Sequence, residues 1–168
     1  TIRRPEDILK LKVGRVMAEP KFDGSFVYIT QDRVTRQTVI CTKDGNQLNL
    51  EPAVQNFIRH HFAPLTKRFL FEAEIEPFPW TETNKVLLNG NLYTGKPMPF
   101  HIRLVTHDLL LLDEIEKPAS KARERYAVMR SLAVVADGVK LTQPHLWDKS
   151  ERASIYITPC QELTLKEA

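Results

Sequence analysis

With 168 residues, 42% of them apolar and 27% charged, the chain has the composition of a soluble globular protein of one ordinary domain. A chain of this length buries roughly 70% of the surface its unfolded form exposes. Its apolar runs, such as residues 109–112, fall far short of the ~20 residues a membrane helix needs, and no signal-peptide core follows the charged residues Arg3, Arg4, Glu6 and Asp7. Two cysteines, Cys41 and Cys160, are too few for a disulfide framework and lack zinc-ligand spacing, so reduced thiols in an intracellular protein, cytoplasmic or nuclear, are expected. The net charge of +3 permits a polyanionic partner without requiring one.

Pro5, followed by Glu6 and Asp7 and then by Ile8, Leu9 and Leu11, predicts a short opening helix with acids in its first turn. Phe26-Val27-Tyr28-Ile29 and Thr38-Val39-Ile40-Cys41 are β-branched and aromatic and are bounded by Asp-Gly and charged turns, which predicts paired strands. Between Pro52 and Phe62 the residues Val54, Phe57, Ile58 and Phe62 recur at helical spacing. The stretch 69–75 alternates like a strand, with Glu72 and Glu74 on one face and Phe71, Ala73 and Ile75 on the other. Residues 100–109 predict another strand, 120–132 a helix rich in Arg and Lys, and Val139-Lys140-Leu141 a short strand. With no internal repeat and no low-complexity segment, the chain is expected to form one α+β domain over residues 1–168, antiparallel strands with helices packed outside them.

The segment most informative about chemistry is Glu19-Pro20-Lys21-Phe22-Asp23-Gly24-Ser25. Proline forces Glu19 to be extended and Asp-Gly closes the segment in a tight turn, so Lys21 is held at a strand junction. A lysine on a turn is by itself an ordinary solvated residue. To act as a nucleophile it must shed its proton against a reference pKa of about 10.4; neighbouring cations and burial under a bound ligand both favour the neutral amine.

Lys21-Phe22-Asp23-Gly24 resembles the KxDG signature of ATP-dependent DNA ligases, RNA ligases and mRNA capping enzymes, and further segments follow in that superfamily's order. Thr42-Lys43-Asp44-Gly45 resembles the ligase S-R-x-G segment, with Lys43 keeping the charge of the usual arginine but not its bidentate fork. Phe71-Glu72-Ala73-Glu74-Ile75 resembles the L-D-G-E strand, with Glu74 at the second acid. Thr106-His107-Asp108-Leu109-Leu110 resembles the F-D-L/I-L segment, with His107 at the aromatic position. The run from Glu124 and Arg125 to Leu132 resembles the E-R-x-x-x-L-x-x-L helix, which favours DNA ligases within the group.

The resemblance implies an ATP-grasp-like nucleotidyltransferase core of antiparallel β-sheets flanked by helices, and the adenylation domain of an ATP-dependent DNA ligase serving replication, repair or recombination. In such a protein Lys21 attacks the α-phosphate of ATP, carries AMP, and passes it to a 5′-phosphate so that a nick is sealed. Glu19 would meet the adenine edge through its backbone, Lys21, Phe22, Asp23 and Gly24 would form the nucleotide-binding loop, and His107 would stack on the base. Lys43 would contact the ribose and nucleic-acid phosphates, while Glu74, with Glu72 beside it, would bind ribose or Mg²⁺. The implied partner is nicked duplex DNA, or alternatively RNA, with the protein a monomer.

Departures from the pattern shape the expectation. Asp137-Gly138-Val139-Lys140 is one spacing short of the family's E-G-x-x-x-K strand, and Glu162 with Lys166 lacks its glycine; the final K-x-K strand has no clear match. Phe26 stands where DNA ligases usually carry arginine, and Ser25 resembles the KxDGS of some RNA ligases. No oligonucleotide-binding barrel follows. The domain is therefore expected to be incomplete at its C-terminal end, with weak or absent ligation by these 168 residues alone. The rival readings are an RNA ligase and a non-catalytic nucleotide- or nucleic-acid-binding module of the same fold. The enzyme reading requires Lys21 to open onto one cavity with both glutamates and the imidazole.

Overall fold

Alternation of apolar and acidic side chains gives Phe69–Phe78 two unlike faces, and this strand, β4, lies inside a six-stranded sheet. The computed structural model describes residues 14–65, 68–112, 121–132, 136–137 and 152–164. In chain order the other elements are β1 (Arg15–Ala18), β2 (Ser25–Gln31), β3 (Thr38–Cys41), α1 (Pro52–Phe62), α2 (Glu82–Asn91), β5 (His101–Leu112), α3 (Ala122–Ser131), β6 (Ala136–Asp137), β7 (Ala153–Ile157) and β8 (Gln161–Thr164). The sheet runs β3-β2-β4-β5-β7-β6, and β1 pairs with β8 as a separate antiparallel ribbon.

The predicted strands at 26–29, 38–41, 69–75 and 100–109 and the predicted helices at 52–62 and 120–132 are all present, within a few residues of their expected ends. One expectation is corrected. Strands β3, β2, β4 and β5 are antiparallel neighbours, but β7 pairs with β5, and β6 with β7, in parallel, so the sheet is mixed. A parallel neighbour needs a crossover, and the segment carrying α3 provides it. Elements β1, α2, β7 and β8 are not among the predicted ones. The predicted helix after Pro5 and the strand Val139-Lys140-Leu141 lie outside the described residues. Among the described residues no helix is long and apolar enough to cross a membrane.

The core lies between α1 and one face of the sheet. Val27 and Ile29 of β2, Phe71, Ala73 and Ile75 of β4, and Ile102 and Leu104 of β5 are all buried there with Val54, Ile58 and Phe62 of α1. Phe62 stacks on Phe69 at 5.6 Å and meets Phe71 edge-on at 5.4 Å, arrangements that add about 0.5–1.5 kcal/mol each to the burial itself. Proline at the start of α1 and Arg59, His60 and His61 in its last turn match the helix dipole. Helix α3 covers the opposite face, where Arg125 grips Asp108 of β5 through two hydrogen bonds of 2.8 and 2.9 Å. The Tyr126 hydroxyl also donates to the Thr158 carbonyl (3.0 Å).

A buried ion pair fastens the lower edge of this arrangement. The Glu51 carboxylate, almost wholly buried, accepts from Arg152 Nε at 2.7 Å and from the Met98 backbone N–H at 3.2 Å, while Arg152 also donates to the Met98 carbonyl. The start of α1, the loop after α2 and the entry to β7 are thereby joined. Removing one partner strands the other charge in a poorly solvated place. Arg152→Leu is therefore expected to lower the unfolding free energy in urea by about 3 kcal/mol, towards the small end of the range for buried pairs because the arginine is one-third exposed. A loss under about 0.5 kcal/mol, the scale of ordinary surface substitutions, would contradict the role given to the pair.

Candidate active site

An irregularity in β5 generates the site. Along β4 and β5, Glu72 faces Asp108 and the next residue, Ala73, faces Thr106, so His107 is an extra residue with no counterpart. Strict alternation would send His107 and Asp108 to opposite faces; a β-bulge lets two successive side chains emerge on one side. Thr106 is fully buried, while His107 and Asp108 both remain partly accessible on the Glu72 face.

Around this bulge lies a cavity of about 250 Å³ lined by Met17, Glu19, Glu72, His107, Asp108, Ala122, Tyr126 and Cys160. The sheet supplies its floor, α3 one wall, and the β1–β8 ribbon another. His107 Nε2 lies 3.4 Å from Glu74 Oε2 and its Nδ1 lies 3.8 Å from Glu19 Oε1, so the ring sits between two carboxylates. The Phe22 ring closes on it at 5.7 Å, tilted by 53°. Among the described residues both ring nitrogens and Glu74 Oε2 are buried without a hydrogen-bond partner. Buried polar atoms left in this state call for a ligand or water to complete them.

Burial works to depress the His107 pKa, but Glu19 and then Glu74 outweigh it and hold the imidazole above its usual range. Burial, reinforced by the nearby Asp108 carboxylate, pushes the Glu72 carboxyl upwards. Burial first, and Glu19 second, raises the Cys160 thiol, which disfavours the thiolate.

The loop carrying Lys21 is pinned from two sides. Gly24 lies so close to β4 that a Cβ there would meet Glu74 Cβ at 2.9 Å and the Ile75 carbonyl oxygen at 3.0 Å. From α2, the Lys85 ammonium donates to the Asp23 carbonyl (3.2 Å) and to Ser25 Oγ (3.4 Å), and Ser25 in turn donates to Asn89 (2.7 Å). The Trp80 indole donates to the same Asp23 carbonyl at 3.1 Å. Thr81 begins α2 by accepting from the Asn84 N–H at 3.0 Å, which fixes where Lys85 and Asn89 point.

The structure thus brings together Glu19, Phe22, Glu72, Glu74 and His107 of the sequence-predicted residues and sets Gly24 against the strand that carries the acids. Lys21 lies between Glu19 and Phe22 but is exposed, and its side chain is not part of the cavity lining. Asp23 is exposed and contributes its carbonyl to the loop's anchoring. Lys43 is exposed on the Thr42–Gly45 turn, where Gly45 takes φ +86° and donates to the Thr42 carbonyl at 3.0 Å; the turn continues β3 towards the end of the sheet where β2 begins. Glu162 pairs with Arg15 and Arg123, and Asp137 falls in β6, with Gly138 to Lys140 and Lys166 outside the described residues.

Five lining residues carried no assignment in the sequence: Met17, Asp108, Ala122, Tyr126 and Cys160. Only Asp108 and Tyr126 stood in quoted segments, and pairing of Arg125 with an acid seventeen positions earlier leaves no local periodic trace. Trp80, Lys85 and Asn89 were likewise unmarked, since α2 itself is weakly amphipathic with Leu88 its one buried residue among those described.

Magnesium was implied for Glu74 and Glu72. Among the described residues no three His, Cys, Asp or Glu side chains are placed to hold a metal ion by themselves. Glu74 Oε2, buried and lacking a hydrogen-bond partner, fits a cation that arrives with phosphate ligands, the usual manner of Mg²⁺, better than it fits a resident one.

These features define an α+β fold with an acidic, histidine-centred cavity beside a pinned lysine loop. Among the solved structures that share the fold are two that carry the name DNA ligase. The structure named Pmar-Lig_Pre matches with a TM-score of 0.64 at 16% identity, over 96% of this chain and 34% of that one. Chlorella virus DNA ligase-adenylate matches with a TM-score of 0.59 at 13% identity, over 99% and 50%. The ATP-dependent DNA ligase of bacteriophage T7, in complex with ATP, matches with a TM-score of 0.51 at 14% identity, over 95% and 52%. The chain spans between a third and about half the length of these proteins. No protein-family model and no curated protein sequence matches it.

Two outcomes test the site. Because Ile75 backbone cannot yield to a methyl group, Gly24→Ala is expected to cost about 1–3 kcal/mol in urea unfolding and to shift the amide resonances of Glu74 and Ile75. For His107, a folded-state pKa above the unfolded value of about 6.5 means its stabilisation is complete below that value and is lost as pH rises through the folded pKa. The stability difference between wild type and His107→Gln should accordingly shrink as the pH rises above about 6.5. A difference that grows over that window would reverse the assigned sign.

Proposed function

We propose that the chain is the nucleotide-accepting core of an ATP-dependent DNA ligase. One observation carries the reading: Glu19, Glu72 and His107, scattered over 89 positions of sequence, line one cavity beside the Lys21 loop, with Glu74 and Phe22 against the His107 ring, in a fold shared with DNA ligases. The His107 ring, with Phe22 tilted against it, offers an aromatic surface on which adenine would stack. The backbone of Glu19 borders the base edge, and the orphaned imidazole nitrogens and Glu74 Oε2 gain partners from the nucleoside.

Chemistry then belongs to Lys21. Its amine attacks the α-phosphorus, forming an N–P bond as the bond to pyrophosphate breaks; the amine's protons pass to solvent. A 5′-phosphate oxygen displaces the lysine to give an adenylylated strand end, and a 3′-hydroxyl finally displaces AMP. Mg²⁺, held by Glu74 and Glu72 together with the phosphates, would supply neutralisation of phosphate charge. An exposed lysine suits a loop that must receive a triphosphate before it is desolvated, and the grip of Trp80 and Lys85 on the Asp23 carbonyl keeps that loop in register with the acids. Ser25, the residue that resembles RNA ligases, spends its hydroxyl on Asn89 and Lys85.

Incubation with ATP labelled at the α-phosphate, followed by denaturing electrophoresis, should leave label on the wild-type chain and none on Lys21→Ala. His107→Ala should weaken nucleotide binding by roughly 5- to 150-fold, the value of one stacking contact of about 1–3 kcal/mol. Folded wild-type protein that binds ATP yet never becomes labelled would instead support a non-catalytic binding module.

A further inference from the structure

A second cleft lies at the other end of β2. Ser25 to Gln31 covers six steps of strand, about 20 Å, so this cleft is well separated from the Lys21 loop. Gln31 follows the phase of Val27 and Ile29, which places it on the α1 side of the sheet, away from the face carrying Glu72 and His107.

One cavity here, of about 440 Å³, is lined by Gln31, Arg36, Gln37, Thr38 and Arg59 over a floor of Phe62 and Leu65. A neighbouring cavity of about 320 Å³ shares Gln31 and Arg36 and adds Asp32, Arg33 and Arg68. Four arginines from three separate segments thus converge on one elongated cleft whose single acid is Asp32. That acid is already engaged: its Oδ1 accepts from the Val34 and Thr35 N–H groups at 2.9 and 2.7 Å and from the Thr35 hydroxyl at 3.1 Å, which braces the β2–β3 turn. Arg36 is held at the tip with φ +61°, a left-handed conformation that costs an arginine about 1–2 kcal/mol. Among the described residues Arg33, Arg36, Arg59 and Arg68 form no ion pair, and Arg59 Nε is buried with no hydrogen-bond partner.

A buried guanidinium N–H without an acceptor is costly unless an acceptor binds there. The guanidinium fork fits phosphate oxygens, and two joined cavities sharing Arg36 suit successive phosphates along one strand. The Gln31 amide oxygen is also buried without a partner, and rotation of the amide about its broad terminal torsion presents its NH₂ to such an anion. The lining offers no exposed aromatic ring on which a base could stack, so the contact would be to the backbone and independent of sequence.

We infer that this arginine cleft is a second anion site, one that takes the phosphodiester backbone of a polynucleotide outside the nucleotide cavity. Binding there needs no chemistry at Lys21. The test is fluorescence anisotropy of a labelled duplex oligonucleotide on the full chain, between about 50 and 200 mM salt, with inorganic tripolyphosphate as a parallel probe. Arg33→Gln/Arg36→Asn changes only exposed side chains, and Asn tolerates the left-handed conformation, so the fold should survive. Losing two phosphate contacts should make the slope of log K against log[salt] shallower by about 1.8 and weaken duplex binding about tenfold at moderate salt. Arg59→Gln should act in the same direction, with thermal unfolding recorded alongside.

An unchanged slope in the double variant, or no duplex binding by the wild type, overturns the inference. Arginine-dependent binding of tripolyphosphate without binding of duplex overturns the polynucleotide assignment. Failure of Lys21 to become adenylylated touches neither result, so this inference and the proposed function fail separately.

Discussion

Everything at the site depends on one additional residue in β5. The bulge between the Glu72–Asp108 and Ala73–Thr106 pairs is what keeps Asp108 on the acidic face beside His107. Without it, one of these two side chains would point into the apolar core under α1, where an imidazole or carboxylate pays heavily for lost solvent. With it, the ring stands between Glu19 and Glu74 while Asp108 is free to accept both guanidinium nitrogens of Arg125 from α3. One backbone irregularity therefore sets both the polar centre of the cavity and the docking of the helix that walls it.

The site's charge balance follows from the same geometry. Glu19, Glu72, Glu74 and Asp108 crowd one face with His107 and Arg125 as the nearby cations. Such a face repels bare phosphates, so a nucleotide bound here presents its base and ribose to the acids and needs a cation for its phosphates. The upward shift of the Glu72 carboxyl reports the same crowding, because burial and Asp108 both penalise a further negative charge. Around this centre the Lys21 loop is immobilised by close approach at Gly24 and by hydrogen bonds from Trp80 and from Lys85 of α2 to the Asp23 carbonyl.

Much of this was legible in the residues, for physical reasons that differ by element. Period-two alternation at 69–75 gave β4 and both acids together, since burial of Phe71, Ala73 and Ile75 compels Glu72 and Glu74 to the other side. Helical spacing of Val54, Ile58 and Phe62 gave α1 to the residue. The parallel entry of β7 beside β5 was not legible, because strand direction is set by a crossover rather than by the strand's own pattern. Nor was α2, whose task is to hold a loop 60–64 positions earlier in sequence and whose single buried Leu88 leaves little periodicity. The bulge at His107 was hidden for a similar reason: alternation reads a strand as regular, and an inserted residue is visible only once its partner strand is known. Lys21 is the instructive case, in that its segment was recognisable from four residues while its exposure depends on how the loop packs.

The central claim is that the cavity lined by His107, beside Phe22, accepts an adenine nucleotide. Titration of the protein with ATP and magnesium, followed through the His107 and Phe22 ring resonances by NMR, tests it most directly. The account predicts saturable shifts of both rings. Rings that stay fixed while ATP binds elsewhere, or does not bind at all, would contradict it.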